Sequence, residues 1–132
     1  MKLSVIIVSF NVKSYLRQCL HSVLESNLID YIEVIVIDNH SFDDSCDLVE
    51  NEFPQVKLIK NSKNFGFSVA VNQGIEMSTG DYLCFLNPDT LIQDDTFSKL
   101  ISSLKKDTDV GCIGPKILNS DGTLQKSCKR SF

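Results

Sequence analysis

The chain has 132 residues, of which 42% are hydrophobic and 23% are charged, and its formal net charge is −4. This length suits one domain with a sizeable core, and the composition is typical of a globular protein, which excludes a disordered chain. The acidic balance provides no basic field for a nucleic-acid backbone, so we exclude nucleic acid as a partner. An anionic ligand would need a metal ion or backbone amides instead.

The first half of the chain contains two predicted strand–helix pairs. An apolar, β-branched run predicts a strand over residues 3–9, and helical spacing predicts a helix over residues 13–26. The first run is too short for a membrane span and lacks the cleavage site of a signal peptide, so we predict no transmembrane segment. A second strand is expected over residues 32–37, followed by a short helix over residues 45–53.

The second half continues the alternation. In chain order we predict a strand over residues 56–59, a helix over 67–77, a strand over 82–86, a helix over 96–106, a strand over 110–113 and a hairpin that pairs 116–118 with 123–125. Alternating strands and helices predict an α/β fold with a mostly parallel sheet and helices on both faces. The near-continuous apolar strands agree, because parallel strands are usually covered on both sides.

The five cysteines are an odd number without a C-x-x-C pair. They are Cys19, Cys46, Cys84, Cys112 and Cys128. This set argues against a zinc site or a disulfide framework and indicates a reducing compartment. Cys84 and Cys112 lie inside apolar runs, so we expect both thiols to be buried.

Polar residues collect where the first four predicted strands end. The clusters are Ser9-Phe10-Asn11, then Asp38-Asn39-His40-Ser41, then Asn61 followed by Lys63-Asn64-Phe65-Gly66-Phe67, and finally Asn87-Pro88-Asp89. In a parallel sheet these four ends lie along one edge, which is where open α/β sheets bind their ligands. The sequence therefore predicts a ligand site at this edge.

Asp89 is the strongest candidate for a metal ligand. Pro88 fixes its own φ, biases Asn87 toward an extended conformation and ends the strand, so the carboxylate is held on a stiff turn. A carboxylate in that position suits Mg²⁺ or Mn²⁺, which also bind phosphate oxygens. The alternative is an ordinary turn, in which proline and aspartate are common.

Asp38 and Gly66 are candidates for nucleotide contacts. Asp38 could accept a hydrogen bond from the ring N–H of a pyrimidine base, and the alternative is that it supports the following turn. Gly66 would let the backbone approach a ligand, and the next helix would direct its amides at phosphates; the alternative is a simple loop. Either Asn72 or Gln73 could face the same edge from within that helix.

Taken together, these segments resemble the nucleotide-sugar-binding half of a family 2 glycosyltransferase with the GT-A fold. The matching segments are Val5-Ile6-Ile7-Val8-Ser9-Phe10-Asn11, Val36-Ile37-Asp38-Asn39 with Ser41, Asp43 and Ser45, Asn64-Phe65-Gly66-Phe67 with Ala70, Asn72 and Gly74, and Gly80-Asp81 leading to Phe85-Leu86-Asn87-Pro88-Asp89. The resemblance covers almost the whole chain. It is strongest to the rhamnosyltransferase-like branch, where Asn-Pro-Asp replaces the usual Asp-x-Asp.

The resemblance implies inverting transfer of a sugar from a UDP- or dTDP-linked donor to an acceptor hydroxyl, in polysaccharide or cell-surface glycan synthesis. By position in the motifs, it implies that Asp38 holds the base and that Asp89 binds the divalent metal, Mg²⁺ or Mn²⁺. The implied nucleotide-sugar site comprises Ser9, Phe10, Asn11, Asp38, Asn39, Ser41, Asn64, Gly66, Phe67, Asn72, Asn87 and Asp89. Asn87 replaces an acidic residue of the usual motif and contributes no charge.

The resemblance also implies that residues 1–132 form a single donor-binding domain, truncated before the acceptor-binding half. Inversion needs a general base, which in this family is an acidic residue well after the metal motif. We assign that role to no residue here, so the alternative function is a nucleotide-sugar-binding module that is inactive by itself. The expected partners are a nucleoside diphosphate sugar and a glycan or lipid-linked acceptor, and the expected location is the cytoplasm, including the inner face of the membrane.

Overall fold

The computed structural model describes residues 2–26 and 31–126. Strands and helices alternate along these residues. They are β1 (Lys2–Ser9), α1 (Lys13–Leu24), β2 (Tyr31–Asp38), α2 (Ser45–Glu52), β3 (Lys57–Lys60), α3 (Phe67–Met77), β4 (Tyr82–Leu86) and α4 (Thr96–Lys106). None of these helices has both the length and the hydrophobicity of a membrane span.

The four strands form one sheet in the order β3-β2-β1-β4, and every neighbouring pair is parallel. Ser9 pairs in register with Asp38, and Asp38 pairs with Lys60. The carboxyl ends of the strands therefore share one edge of the sheet, as predicted. The structure therefore has the predicted α/β fold with a parallel sheet.

Alternate side chains of β1 supply the two faces of the core. Val5 and Ile7 are fully buried in the larger cluster, which includes residues of α1, α2 and α4. Ile6 points the other way and packs in a smaller cluster with Ala70 of α3. Successive strand residues face opposite sides of a sheet, so helices on both faces follow from a strand without polar alternation.

Gly74 is the point of closest approach between α3 and the sheet. A Cβ at this position would lie 2.5 Å from Ile6 Cγ2 and 2.9 Å from Ile37 Cδ1. We expect Gly74→Ala to lower the free energy of unfolding by about 1–3 kcal/mol, as overpacking of a core does. Gly111→Ala is the matched control, because a Cβ there has no neighbour within 4 Å. Urea unfolding curves would measure both, and equal stability of the two variants would contradict the close packing.

The predicted fifth strand is wrong. Residues 110–113 form no strand, and Val110 and Ile113 are 40% and 38% exposed. Gly111 interrupts this short run, and glycine weakens a strand because it has no side chain to pack. The prediction that Cys112 is buried is also wrong, because that thiol is exposed.

The predicted hairpin is reduced to a single antiparallel bridge between Leu118 and Leu124. Its turn is present, because the Gly122 amide donates to the Asn119 carbonyl over 2.9 Å. A pair this short adds little cross-strand packing to the turn itself. The other element ends agree with the predictions to within about two residues, the usual uncertainty of a helix or strand end.

Candidate functional site

The loops after β1 and β2 carry all the non-glycine residues with positive φ in the part of the chain that the structure describes. They are Asn11 (φ 53°), His40 (φ 71°) and Asp44 (φ 59°). Asparagine, aspartate and histidine tolerate this left-handed region better than most residues, but it is still uncommon for them. Such backbone strain persists where surrounding contacts enforce it, and it concentrates at functional sites.

Several hydrogen bonds join these two loops, and three of them are shorter than 3 Å. The Asn11 amide donates to Ser41 Oγ over 2.9 Å, and the Phe42 amide donates to Asn11 Oδ1 over 2.8 Å. The Lys13 amide donates to Asp43 Oδ2 over 2.8 Å. Burial alone would raise the pKa of Asp43, but hydrogen bonds from Ser45 and Lys13 outweigh it and lower that pKa. The two loops therefore form one braced unit.

Asp38 lies at the base of this unit and is 2% exposed. Its Oδ1 accepts from the Ser41 amide over 2.8 Å, and its Oδ2 accepts from Ser41 Oγ over 2.6 Å. The carboxylate thus supports the following turn, which was the alternative that the sequence left open. Each carboxylate oxygen has a second lone pair, so this role does not exclude a further donor.

Ser9 is fully buried beside Asp38, its register partner. Its hydroxyl is the single buried side-chain polar atom without a hydrogen-bond partner among residues 2–26 and 31–126. Buried polar groups are normally paired, because an unpaired one costs about 1–3 kcal/mol. Phe10, the next residue, is 43% exposed at the edge of the site.

A network of side-chain amides connects the end of β2 to α3. Asn61 Nδ2 donates to Asn39 Oδ1 and to Gln73 Oε1, each over 2.9 Å, and Asn39 Nδ2 donates to the Gly66 carbonyl over 3.2 Å. The network uses Gln73, whereas Asn72 is exposed on α3. Asn61 belongs to the strand-end clusters of the sequence because it follows β3, but it is not among the predicted nucleotide-sugar-binding residues.

Gly66 precedes α3 with φ 84°, a conformation that favours glycine. Its amide donates to Asn64 Oδ1 over 2.9 Å, which fixes the entry to the helix. No side chain caps the start of α3, and the positive end of its dipole lies on the side where the chain leaves the carboxyl end of β3. Phe67, the first helical residue, is 61% exposed.

The turn after β4 presents Asn87 and Asp89, both exposed. The Asn87 carbonyl accepts from the Thr90 hydroxyl over 2.5 Å and from Cys19 Sγ over 3.7 Å. Burial raises the pKa of Cys19 to about 12, so this thiol stays protonated and able to donate. Val12 and Tyr15 of the neighbouring segment line a surface groove together with this turn.

The donor set at this turn fits a hard divalent cation. In the described part of the chain no three His, Cys, Asp or Glu residues are grouped as a metal cage. Mg²⁺ needs no such cage, because it is commonly held by one or two carboxylates with water and substrate phosphates. Asp89 offers the carboxylate and Asn87 an amide oxygen, so these two residues would hold the ion.

The chain belongs to glycosyl transferase family 2, whose family model matches residues 4–130. It is 28% identical over 129 residues to the SPbeta prophage-derived glycosyltransferase SunS of Bacillus subtilis strain 168, covering 96% of this chain and 30% of SunS. It is 34% identical over 113 residues to the uncharacterized glycosyltransferase YibD of Escherichia coli strain K12, covering 83% of this chain and 32% of YibD. The chain thus spans about a third of the length of these relatives.

Two solved structures show the same fold. Staphylococcus aureus TarS 1-349 in complex with UDP superposes with a TM-score of 0.72 at 24% identity, covering 80% of this chain and 32% of that one. The mannosyltransferase PcManGT of Pyrobaculum calidifontis, in complex with GDP-Man and Mn²⁺, gives a TM-score of 0.73 at 24% identity, covering 86% of this chain and 36% of that one.

Proposed function

We propose that the chain binds a UDP- or dTDP-linked sugar at the carboxyl edge of its sheet, as the donor part of an inverting glycosyltransferase. The observation that carries the proposal is the meeting of four polar loops along one edge of a parallel sheet. TarS in complex with UDP and with UDP-GlcNAc, which shares this fold, supports a nucleotide-sugar donor. The acceptor is a hydroxyl of a glycan or a lipid-linked glycan.

Different residues of the site bind different parts of the donor. Ser9 and Phe10 line the nucleoside pocket, with Asn11 next along the chain, and Asp38 accepts from the ring N–H of the base through a free lone pair. The remaining residues of the proposed donor site are Asn39, Ser41, Asn64, Gly66, Phe67, Asn72, Asn87 and Asp89. Among these, Gly66 and the start of α3 direct amides and the positive end of a helix dipole at the diphosphate.

Asp89, with Asn87 beside it, would hold a divalent ion against the diphosphate. The bound ion would supply positive charge that stabilises the departing nucleoside diphosphate, an effect worth several kcal/mol of barrier. Asp89 is exposed, so it would be accessible to a donor that carries the ion. PcManGT in complex with GDP-Man and Mn²⁺ supports a divalent metal.

The second candidate is a nucleotide-sugar-binding module without transfer activity of its own. The acids after Asp89 favour it, because several are engaged locally. Asp95 pairs with Lys99, and Asp121 accepts hydrogen bonds from Thr123. We assign the general base to no described carboxylate after Asp89.

We place the activity in the rhamnosyltransferase-like branch, in polysaccharide or cell-surface glycan synthesis. The Asn-Pro-Asp segment of residues 87–89 supports that branch. The four described cysteines are free thiols, in keeping with the reducing environment of the cytoplasm. A lipid-linked acceptor would draw the protein to the inner face of the membrane.

Thermal shifts with UDP, dTDP, GDP and ADP, each with and without Mn²⁺, test the proposed donor site. A ligand at about a hundred times its dissociation constant stabilises a fold by about 2.7 kcal/mol, which raises the melting temperature by several degrees. We expect a metal-dependent shift with UDP or dTDP. If none of the four nucleotides raises the melting temperature, the proposed function is contradicted.

Asp38→Ala is expected to weaken nucleoside binding by about 1.5–3 kcal/mol, the range for a hydrogen bond to a charged group. It should also lower stability without ligand, because Ser41 loses the acceptor of two hydrogen bonds. Ser41→Ala removes one of those bonds and keeps the carboxylate, so it is the matched control. Calorimetric titration with UDP or dTDP would separate the effects: equal losses of affinity in both variants would contradict a direct bond from Asp38 to the base.

A further inference from the structure

We propose that Asn11 is a positioning residue, which holds the loop after β2 in its binding conformation instead of contacting the donor through its own side chain. The inference rests on the proposed function and assigns this residue a different role from the one implied by the family resemblance. It starts from the side-chain oxygen of Asn11, which accepts from the Phe42 amide over 2.8 Å.

Asn11 hydrogen-bonds the neighbouring loop through both its backbone and its side chain. Its amide donates to Ser41 Oγ, and Ser41 in turn donates to Asp38 through both its amide and its hydroxyl. The backbone and the side chain of one residue thus hold adjacent residues of the β2–α2 loop. Movement of Asn11 would release Ser41 from one side and Phe42 from the other.

The loop that Asn11 holds is strained and would not keep this shape by itself. His40, just before Ser41, has φ 71°, and Asp44 has φ 59°. Phe42 is 76% exposed, with its ring 4.8 Å from that of His40 in an edge-on arrangement. An exposed ring gains little from burial, so the loop depends on its hydrogen bonds for its conformation.

Asn11 itself has φ 53°, which selects asparagine over most other residues. The left-handed backbone lets its amide and its side-chain oxygen both reach the second loop. Glycine adopts the same backbone freely but has no oxygen to accept from Phe42. Aspartate tolerates the same backbone and keeps a side-chain oxygen as acceptor. Comparison of the two substitutions therefore separates the effect of the backbone conformation from the effect of the hydrogen bond to Phe42.

The test compares Asn11→Gly and Asn11→Asp, with Asp44→Gly as a control for relief of positive φ elsewhere in the same loop. Amide hydrogen exchange of Phe42 in the free protein reports whether the loop opens. Calorimetric titration with UDP and dTDP in the presence of Mn²⁺ reports affinity. Uridine and thymidine report affinity without the charge that aspartate would repel.

We expect Asn11→Gly to speed exchange at Phe42 and to weaken nucleotide binding by about two- to ten-fold, the equivalent of one net hydrogen bond. Asn11→Asp should keep the Phe42 amide protected and keep affinity for the uncharged nucleosides. Asp44→Gly also removes the pair of Asp44 with Lys13 Nζ, but that pair is long (3.5 Å) and largely exposed, so this variant should leave both readings unchanged. These results together would separate positioning from a general loss of stability.

Two outcomes would overturn the positioning role alone. One is a loss of affinity in Asn11→Gly with no change in exchange at Phe42, which would indicate direct contact with the ligand. The other is faster exchange with unchanged affinity, which would show that the loop conformation does not matter for binding. Failure of the wild-type protein to bind either nucleotide would overturn the proposed function as well.

Discussion

Replacing Glu33 with glutamine is expected to lower the free energy of unfolding by about 1–3 kcal/mol, because the buried side chain loses its charge and part of its hydrogen bonding, while its lysine partners are partly exposed to water. Glu33 is 6% exposed, at the edge of the sheet opposite the proposed site. Its carboxylate accepts hydrogen bonds from Lys57 Nζ (2.7 Å), Ser4 Oγ (2.6 Å), the Thr79 amide (2.9 Å) and Lys2 Nζ (3.0 Å). Urea unfolding at pH 7 measures the loss.

The same cluster makes stability depend on pH. Burial alone would raise the pKa of Glu33, but hydrogen bonds from Lys57, Ser4, Thr79 and Lys2 outweigh it and hold that pKa well below its usual range. The unfolded chain therefore takes up this proton at a higher pH than the folded chain. The stabilisation is complete above about pH 5 and is lost as the pH falls toward the folded pKa.

Glu52→Gln is the matched control for this prediction. Glu52 pairs with Arg17 through two hydrogen bonds of 2.9 and 2.7 Å, but both side chains are exposed. Exposed ion pairs contribute little to stability, so this variant should unfold much like the wild type. Equal stability of the Glu33 and Glu52 variants, or a wild-type profile that is flat from pH 7 to pH 3, would contradict the role of the cluster.

Asp89→Ala is expected to abolish the metal-dependent part of nucleotide binding while leaving the fold intact. Asp89 is exposed on the turn after β4, so its removal disturbs no core contact. We expect affinity for UDP or dTDP with Mn²⁺ to fall by about 100-fold or more, since loss of even an outer-shell partner of a metal ligand typically costs 10–100-fold. Affinity without metal should change little.

Asp94→Ala is the control, because it removes an exposed carboxylate of equal charge five residues further along. Calorimetric titration with and without Mn²⁺ measures both variants, and circular dichroism verifies that they are folded. Unchanged metal-dependent affinity in Asp89→Ala would exclude this carboxylate as the metal ligand. An equal loss in both variants would show that only the net charge matters.

Local patterns were sufficient to predict the eight regular elements of the sheet and its covering helices. The uninterrupted apolar run of β1 required helices on both faces, and the strand–helix order required parallel pairing. The failed fifth strand, at residues 110–113, lies in a run that contains a glycine and has no pairing partner in the described part of the chain. Periodicity alone does not reveal whether a partner strand is present.

The sequence by itself determined the fold class, the edge of the sheet where polar residues meet and the candidate residues of the site. Only the tertiary structure decided what each side chain does there. Asp38 supports Ser41, Asn11 joins two loops, and Gln73 enters the amide network with Asn61 while Asn72 is exposed. The physical reason is that two of these bonds join separate segments of the chain, Asn11 with Phe42 and Asn61 with Gln73. Their geometry is set by the register of neighbouring strands, which no local pattern of residues specifies.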